Sequence, residues 1–488
     1  MKKKVIIVGT GLGGLCSGLL LQSKGYEVQF IEKNDRPGGR LNRFEQEGFT
    51  FDTGPSFFSM SYIFKDFMKE CGLELPFRFI ELDPLYSVHF PDGRIFRLNK
   101  DIKKLAEQFS DIESDFEVKM EKYLDKASAL YNDTIDIVIR NNFDTKLDFF
   151  ISLMKVNPVH IPVLMKTFWQ QVTQYFDSHE ARQIVSLVAF FLGRTPFDTM
   201  GIYSLLSNVE FRYDGYHNVE GGMYQIVEGI VDLLKSRGAT FHFNKEITRV
   251  EAHNDQIIGV VDKEGKHYEG DIYLINADAA LFRGRVLNRK KYSETNLRKM
   301  EWTMGYLTIY IGVNCKLPHL DLHNYFLGSN YEEYAHNVLK NPESLQKPYY
   351  YINVVSKHNP ECAPEGCESL FFVCPVPSLQ YKSDWSDRDE IVDSILADFS
   401  LRIGTDIIPH IVTRTVYTPK EWEREFNLYM GSGLGLSHRM NQIGGLRPKN
   451  FDEQYHNLFY TGSSTTPGAG LPMAVISAEN VCRRILNI

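Results

Sequence analysis

The opening of the chain leaves little freedom of fold. Val5 to Val8 are four β-branched apolar residues in a row, the composition of a strand buried on both faces, and they run directly into Gly9-Thr10-Gly11-Leu12-Gly13-Gly14. Glycines at this point let the backbone turn sharply and approach a pyrophosphate closely. A helix is expected from Leu15 to Lys24, with N-terminal amides facing the anion. The next strand, Glu27 to Ile31, ends at Glu32, where a carboxylate can accept ribose hydroxyls. A lone G-x-G-x-x-G is weak, but here strand, turn, helix, strand and acid follow in register. The stretch from Val5 to Glu32 therefore specifies a parallel α/β unit holding the ADP half of a dinucleotide.

Lys33 and Asn34 lead on to Arg36-Pro37-Gly38-Gly39-Arg40, which supplies two more residues without side chains and a guanidinium able to fork onto a phosphate. This segment resembles the second glycine motif of the amine-oxidase-type flavoproteins, which implies FAD and places Arg40 near the pyrophosphate and flavin. Gly431-Ser432-Gly433-Leu434-Gly435 does not qualify as an NADPH fingerprint, lacking both a preceding buried strand and a suitably spaced acid. Near the other terminus, a short apolar strand ending at Gly462 is followed by Pro467, Gly468 and Gly470, then Leu471 and Pro472. Proline is favoured at the first helical position, so Met473 and Ala474 are expected to offer free amides at the positive end of a helix running to about Leu486. Such an end stabilises the anionic edge of a reduced flavin.

Taken in order, the N-terminal fingerprint, FDTGPS at 51–56, VEGGMYQIVEGI at 219–230, CAPEGCESLFFVCPVP at 362–377 and TPGAGLPMAVISAE near the end resemble the bacterial carotenoid desaturases of the phytoene-desaturase type. Within that family, GSGLGLSHRMNQIGGLRPKN and the PGAGLPMAVIS ending look more like the hydroxycarotenoid 3,4-desaturases. The resemblance implies a Rossmann-like FAD-binding domain of the amine-oxidase and glutathione-reductase type, joined to an α+β substrate domain with a mixed sheet. It adds Lys33, Gly54, Pro55 and Ala277 to the cofactor contacts and sets the backbone of Ile247 against the adenine. The FAD domain is then discontinuous, from 1–60, 218–281 and 441–488, and 61–217 with 282–440 build the substrate domain. The first of those substrate stretches reads as mainly helical, and the second carries strands such as Tyr306 to Val313 and Ser369 to Val376.

A net charge of −8 with no sustained basic stripe argues against nucleic acid as a partner. Seven cysteines point to a reducing compartment, and Lys2 to Lys4 before a short strand do not form a signal peptide; a cytoplasmic location, at the inner face of the cell membrane, is expected. No metal site is expected. Cys362 and Cys367 have no second pair, and His319 and His323 would share a helix face only if a helix followed Pro318.

The stretch 145–195 is unusually apolar. Leu147, Phe150, Ile151 and Met154 fall at helical spacing, Pro158 and Pro162 break the run, and Ile161, Leu164, Met165, Phe168, Val172 and Tyr175 resume it. Two readings stay open: core packing, or helices resting on a membrane surface with Lys146, Lys155 and Lys166 beside them and Trp169 at the lipid boundary. No run reaches the roughly 20 apolar residues of a membrane span. The abundance of Phe and Tyr, 33 and 26, suits either a tunnel lining or a large core. The family's chemistry implies a carotenoid taken from lipid, hydride transfer to the flavin and loss of a proton from the adjacent carbon, with oxygen or a membrane quinone as final acceptor. No catalytic side chain is identified by local spacing. One rival is another redox enzyme on the same scaffold, a phytoene desaturase, another carotenoid oxidase or isomerase, or an amine oxidase. The rival from another class is a non-catalytic prenyl-lipid carrier related to GDP dissociation inhibitors, which would not need both Gly38-Gly39-Arg40 and the C-terminal flavin helix.

Overall fold

The computed structural model describes residues 2–346 and 349–487; the outer limits Met1 and Ile488 of the expected FAD domain lie outside them. Five short strands form one wholly parallel sheet in the order Leu458–Tyr460, Ile272–Ile275, Lys4–Val8, Glu27–Ile31, Thr240–His242. Both ends of the chain and a central stretch thus meet edge to edge. Val5 and Ile7 point to a helical layer made by Leu12–Ser23, Gln225–Ser236 and Leu471–Leu486, where Leu15, Leu19, Ile226, Val475 and Ile476 are fully buried. Ile6 and Val8 point the other way, against a three-stranded meander through Ile257, Val260 and Tyr268. A strand apolar on every position is what two covered faces require. The first helix starts at Leu12, three residues earlier than the sequence suggested, and the hairpin Ile247–His253 with Gln256–Asp262 turns at Asn254, whose φ of 53° is tolerable for asparagine.

The second sheet has seven strands, in the order Ile411–Tyr417, Gly305–Val313, Glu368–Val376, Tyr350–Val354, His323–Phe326, Tyr86–His89, Ile95–Leu98. It is mixed: His323–Phe326 and Tyr86–His89 run parallel, the other neighbours antiparallel. One face, including Leu307, Ile309, Ile352 and Phe372, packs on the helix Arg388–Ile403 through Val392, Ile395 and Phe399. Two of its strands come from the stretch read as mainly helical. At four residues each, Tyr86–His89 and Ile95–Leu98 are too short to show a period, and the Pro91-Asp92-Gly93 turn between them was the only local sign of a hairpin.

The apolar stretch folds as two helical pieces, Lys146–Leu153 and Pro158–Leu164, bent by 97° at the break. Leu147, Phe150, Ile151, Met154, Val159, Ile161 and Met165 are exposed to solvent. Beyond them the pattern turns inward: Phe168 and Val172 are fully buried, and the half-buried Trp169 packs its ring, tilted, against Phe197 and Tyr331 at 4.7 and 5.8 Å between ring centres. Among the described residues no single helix is long and apolar enough to cross a membrane.

Candidate cofactor and substrate site

The site begins where the parallel strands end. Gly9 takes φ +94°, a region closed to most side chains, and its amide donates to the Ile31 carbonyl at 2.8 Å, tying the turn to the neighbouring strand. Asn276, just past Ile272–Ile275, fills the space behind the turn. A Cβ added at Gly11 would lie 2.8 Å from its amide nitrogen, and one at Gly9 2.7 Å from its carbonyl oxygen. Gly14 stands apart from the others: a Cβ there would meet the Gly9 carbonyl at 2.6 Å, so its lack of a side chain serves the close seating of helix on strand. The second glycine segment lies directly on the first. The Gly38 amide donates to the Thr10 carbonyl at 2.9 Å, and a Cβ on Gly39 would sit 3.3 Å from the Gly11 Cα.

Glu32 is buried at the tip of its strand. Its carboxylate accepts from the Thr10 amide and hydroxyl at 2.8 and 2.7 Å and from the Asn34 amide at 3.0 Å, which fixes it beside the glycine turn. Arg40 is half-buried and donates to the Gly433 carbonyl and the Ser463 hydroxyl, both at 2.9 Å. Burial lowers its pKa, and the nearby Asp278 carboxylate works against that; Asp278, raised by its own burial, caps the short turn at Ala280 and Leu281. Gly433 belongs to the GSGLG segment, which sequence reasoning set aside as a nucleotide turn; its role here is to hold the arginine from the far side.

The C-terminal helix starts at Leu471, which puts Pro472 at the second position and not the first. The Ala474 amide is engaged by the Gly470 carbonyl at 2.9 Å, contrary to the expectation that it is free. The amides of Leu471 and Met473 find no acceptor among the described residues and stand at the positive end of a sixteen-residue helix. The loop before it is pinned by His438, whose Nε2 accepts from the Ala469 amide at 3.3 Å; burial pushes that imidazole down to about 3, so it stays neutral and able to accept.

One cavity of about 880 Å³ connects all of these pieces. Every residue expected to touch the cofactor lines it except Gly14. Besides the glycine cradle its wall includes Arg40, Tyr306 and, forming an apolar chamber, Phe57, Leu187, Phe191, Leu205, Tyr325 and Tyr351. Sequence reasoning did not single out those residues, nor Glu210, which also lines the chamber. The bare glycine turns and the Arg40 guanidinium match a pyrophosphate, the carboxylate at the strand tip a ribose, and the open helix amides the anionic ring edge of a flavin dinucleotide. The donor set fits FAD.

The profile of the flavin-containing amine oxidoreductases matches residues 12–486. The chain is 28% identical over 519 residues to a phytoene desaturase of Fusarium fujikuroi, spanning 100% of this chain and 90% of that protein. It is likewise 28% identical over 480 residues to a 1-hydroxycarotenoid 3,4-desaturase of Flavobacterium sp. strain P99-3, spanning 98% of each. Among solved structures, putrescine oxidase bound to putrescine superposes with a TM-score of 0.63 over 100% of both chains at 14% identity, a likeness of fold. The chain belongs to the flavin-containing amine oxidoreductase family: it is an oxidoreductase, and its cofactor is FAD.

Proposed function

We propose that the protein is a carotenoid desaturase that introduces a carbon–carbon double bond into an acyclic-end, 1-hydroxylated carotenoid. The observation that carries this reading is that a single cavity is lined both by the dinucleotide cradle and by a set of aromatic and aliphatic side chains. A small polar amine would gain nothing from such a lining, whereas a long polyene is held by it along its length. The relatives named above support the same substrate class.

In this reading the glycine segments, Glu32, Arg40 and the Leu471 and Met473 amides hold FAD, which when bound supplies the acceptor for a hydride from an allylic C–H. The chain's own part is positioning and exclusion of water. Tyr306, Phe57 and Tyr325 line the cavity and align the polyene. Positive charge developing on the substrate is spread along its conjugated chain, so the protein is asked for little acid–base assistance beyond taking up one proton.

The division into a FAD domain of 1–60, 218–281 and 441–488 and a substrate domain from the remainder is part of the proposal, as is a peripheral position on the cytoplasmic face of the membrane. The support for membrane contact is the bent pair Lys146–Leu153 and Pro158–Leu164, which with the adjoining Met154 and Met165 exposes seven large apolar side chains beside the exposed Lys146 and Lys155 in the sequence. Its inward side, Phe149, packs on Gly444, a residue of the cavity wall. The exposed helical pair and the cavity wall are thus adjacent.

The test is to give FAD-loaded protein in liposomes both phytoene and a 1-hydroxylated acyclic carotene and to separate the products by chromatography. Gain of one double bond by the hydroxylated substrate is expected. Conversion of phytoene alone would move the protein to the other branch of the family, and conversion of neither would refute the reading.

A further inference from the structure

The carboxyls in the cavity wall differ in how they are satisfied. Glu32 is held by Thr10 and Asn34, and Asp278 faces Arg40. Among the described residues Glu210 has no cation against it. It lies in the segment Val209–Tyr213, where the helix widens to a π turn, a distortion common at functional sites. It is 1% exposed, and its hydrogen bond comes from the Tyr86 hydroxyl at 2.5 Å. Burial pushes the carboxyl up to about 8, opposed only by that bond, so at neutral pH it is mostly a neutral acid with a proton to donate.

Two more polar atoms share this corner. Tyr216 and Tyr325 are buried, line the same chamber, and their hydroxyls find no partner among the described residues. Their rings pack around Phe57, at 4.9 and 6.1 Å between ring centres, and Tyr86 touches Tyr325 at 5.5 Å. A hydrocarbon filling the chamber would leave these groups desolvated and unpaired, at a cost for each. An anion would meet no cation beside Glu210 among the described residues, and an ammonium would have to ionise the buried acid.

We propose that Glu210, Tyr216 and Tyr325 form a subsite for the hydroxyl of the substrate's end group, with Tyr86 positioning Glu210. This rests on the desaturase reading and names the residues that select a hydroxylated carotenoid over its hydrocarbon counterpart. A site built to hydrogen-bond a hydroxyl rejects the analogue that lacks it, because its own polar groups are then stranded.

The experiment compares wild type, Glu210→Leu and Tyr325→Phe on a 1-hydroxylated carotene and on the same carotene without the hydroxyl. Two quantities are read in liposomes: the ratio of kcat/KM values, and the ratio of dissociation constants from tryptophan fluorescence quenching. Flavin absorbance per protein reports folding. Wild type is expected to favour the hydroxylated compound; Glu210→Leu lowers that preference roughly 10- to 100-fold and Tyr325→Phe roughly 3- to 10-fold, with flavin content unchanged. An unchanged preference, or a parallel fall for both substrates, overturns the subsite. If wild type converts neither compound, the desaturase reading fails and the binding ratio alone decides the subsite. Should Glu210→Leu lose its flavin, the milder Tyr325→Phe decides it.

Discussion

Replacing Leu147, Met154 and Met165 together by glutamine should release the protein from lipid without disturbing its fold. The three side chains belong to residues 66, 76 and 82% exposed in the folded protein, so the substitution removes almost no internal contact and its effect on stability should stay near zero. Taking one such side chain fully out of water is worth about 2 kcal/mol. Scaled by these exposures, complete insertion of the three contributes about 4 kcal/mol, or roughly a thousandfold in the partition coefficient; insertion to half that depth still gives about thirtyfold. Lys146 and Lys155 add about 1 kcal/mol each only on an anionic surface, so neutral phosphatidylcholine vesicles isolate the apolar part. Sedimentation with such vesicles, at matched flavin content, gives the partition coefficient directly. A triple variant that binds within threefold of wild type would show that these side chains do not enter the bilayer, and the membrane-contact reading would fall.

Removing the guanidinium in Arg40→Met leaves the Gly433 carbonyl and Ser463 hydroxyl without their 2.9 Å partners. Retention of FAD after dialysis should weaken by about 2 kcal/mol, roughly thirtyfold in dissociation constant, and full occupancy would contradict the placement of Arg40. Gly14→Ala puts a Cβ 2.6 Å from the Gly9 carbonyl, so it should cost about 1–3 kcal/mol of stability by denaturant titration, with no cofactor contact removed; an unaltered midpoint would refute the packing role. Asp52 is held by the Met223 amide at 2.8 Å, and its burial pushes the carboxyl up to about 6. The folded protein thus keeps a proton that the unfolded chain releases near pH 4. The stabilisation is fully present below that pH and is lost as the pH rises to about 6, about 3 kcal/mol in all. Asp52→Asn, which retains an oxygen acceptor, should remove that slope between pH 4 and 6, and parallel stability curves for the two proteins would contradict it.

The dinucleotide half of the molecule was legible because its signals are local. Val5 to Val8 sit on two covered faces, the glycines at 9, 11, 38 and 39 need positive φ or close approach, and Glu32 follows at a fixed distance. The chamber was not legible for the opposite reason. Glu210, Tyr216 and Tyr325 are single residues on a π turn, a loop and a strand, and only the tertiary fold brings them around Phe57. Glu210 in particular reads in the sequence as an ordinary polar position within NVEFRY. The apolar helical stretch fell between these cases. Its period was visible, but which half faced solvent depended on the 97° bend near Pro158 and on the aromatic partners against which Trp169 packs. At the C-terminal helix the proline marked the start to within one residue, yet whether the Ala474 amide was free turned on the position of the Gly470 carbonyl.

The central claim is that one cavity brings FAD and a hydroxylated polyene face to face. Anaerobic mixing of the FAD-loaded protein with a 1-hydroxycarotenoid in liposomes, followed by absorbance, measures it most directly. The flavin band should bleach while the carotenoid spectrum moves to longer wavelength by the increment of one added double bond, both in proportion. A flavin spectrum that stays oxidised while the carotenoid is bound would contradict the account.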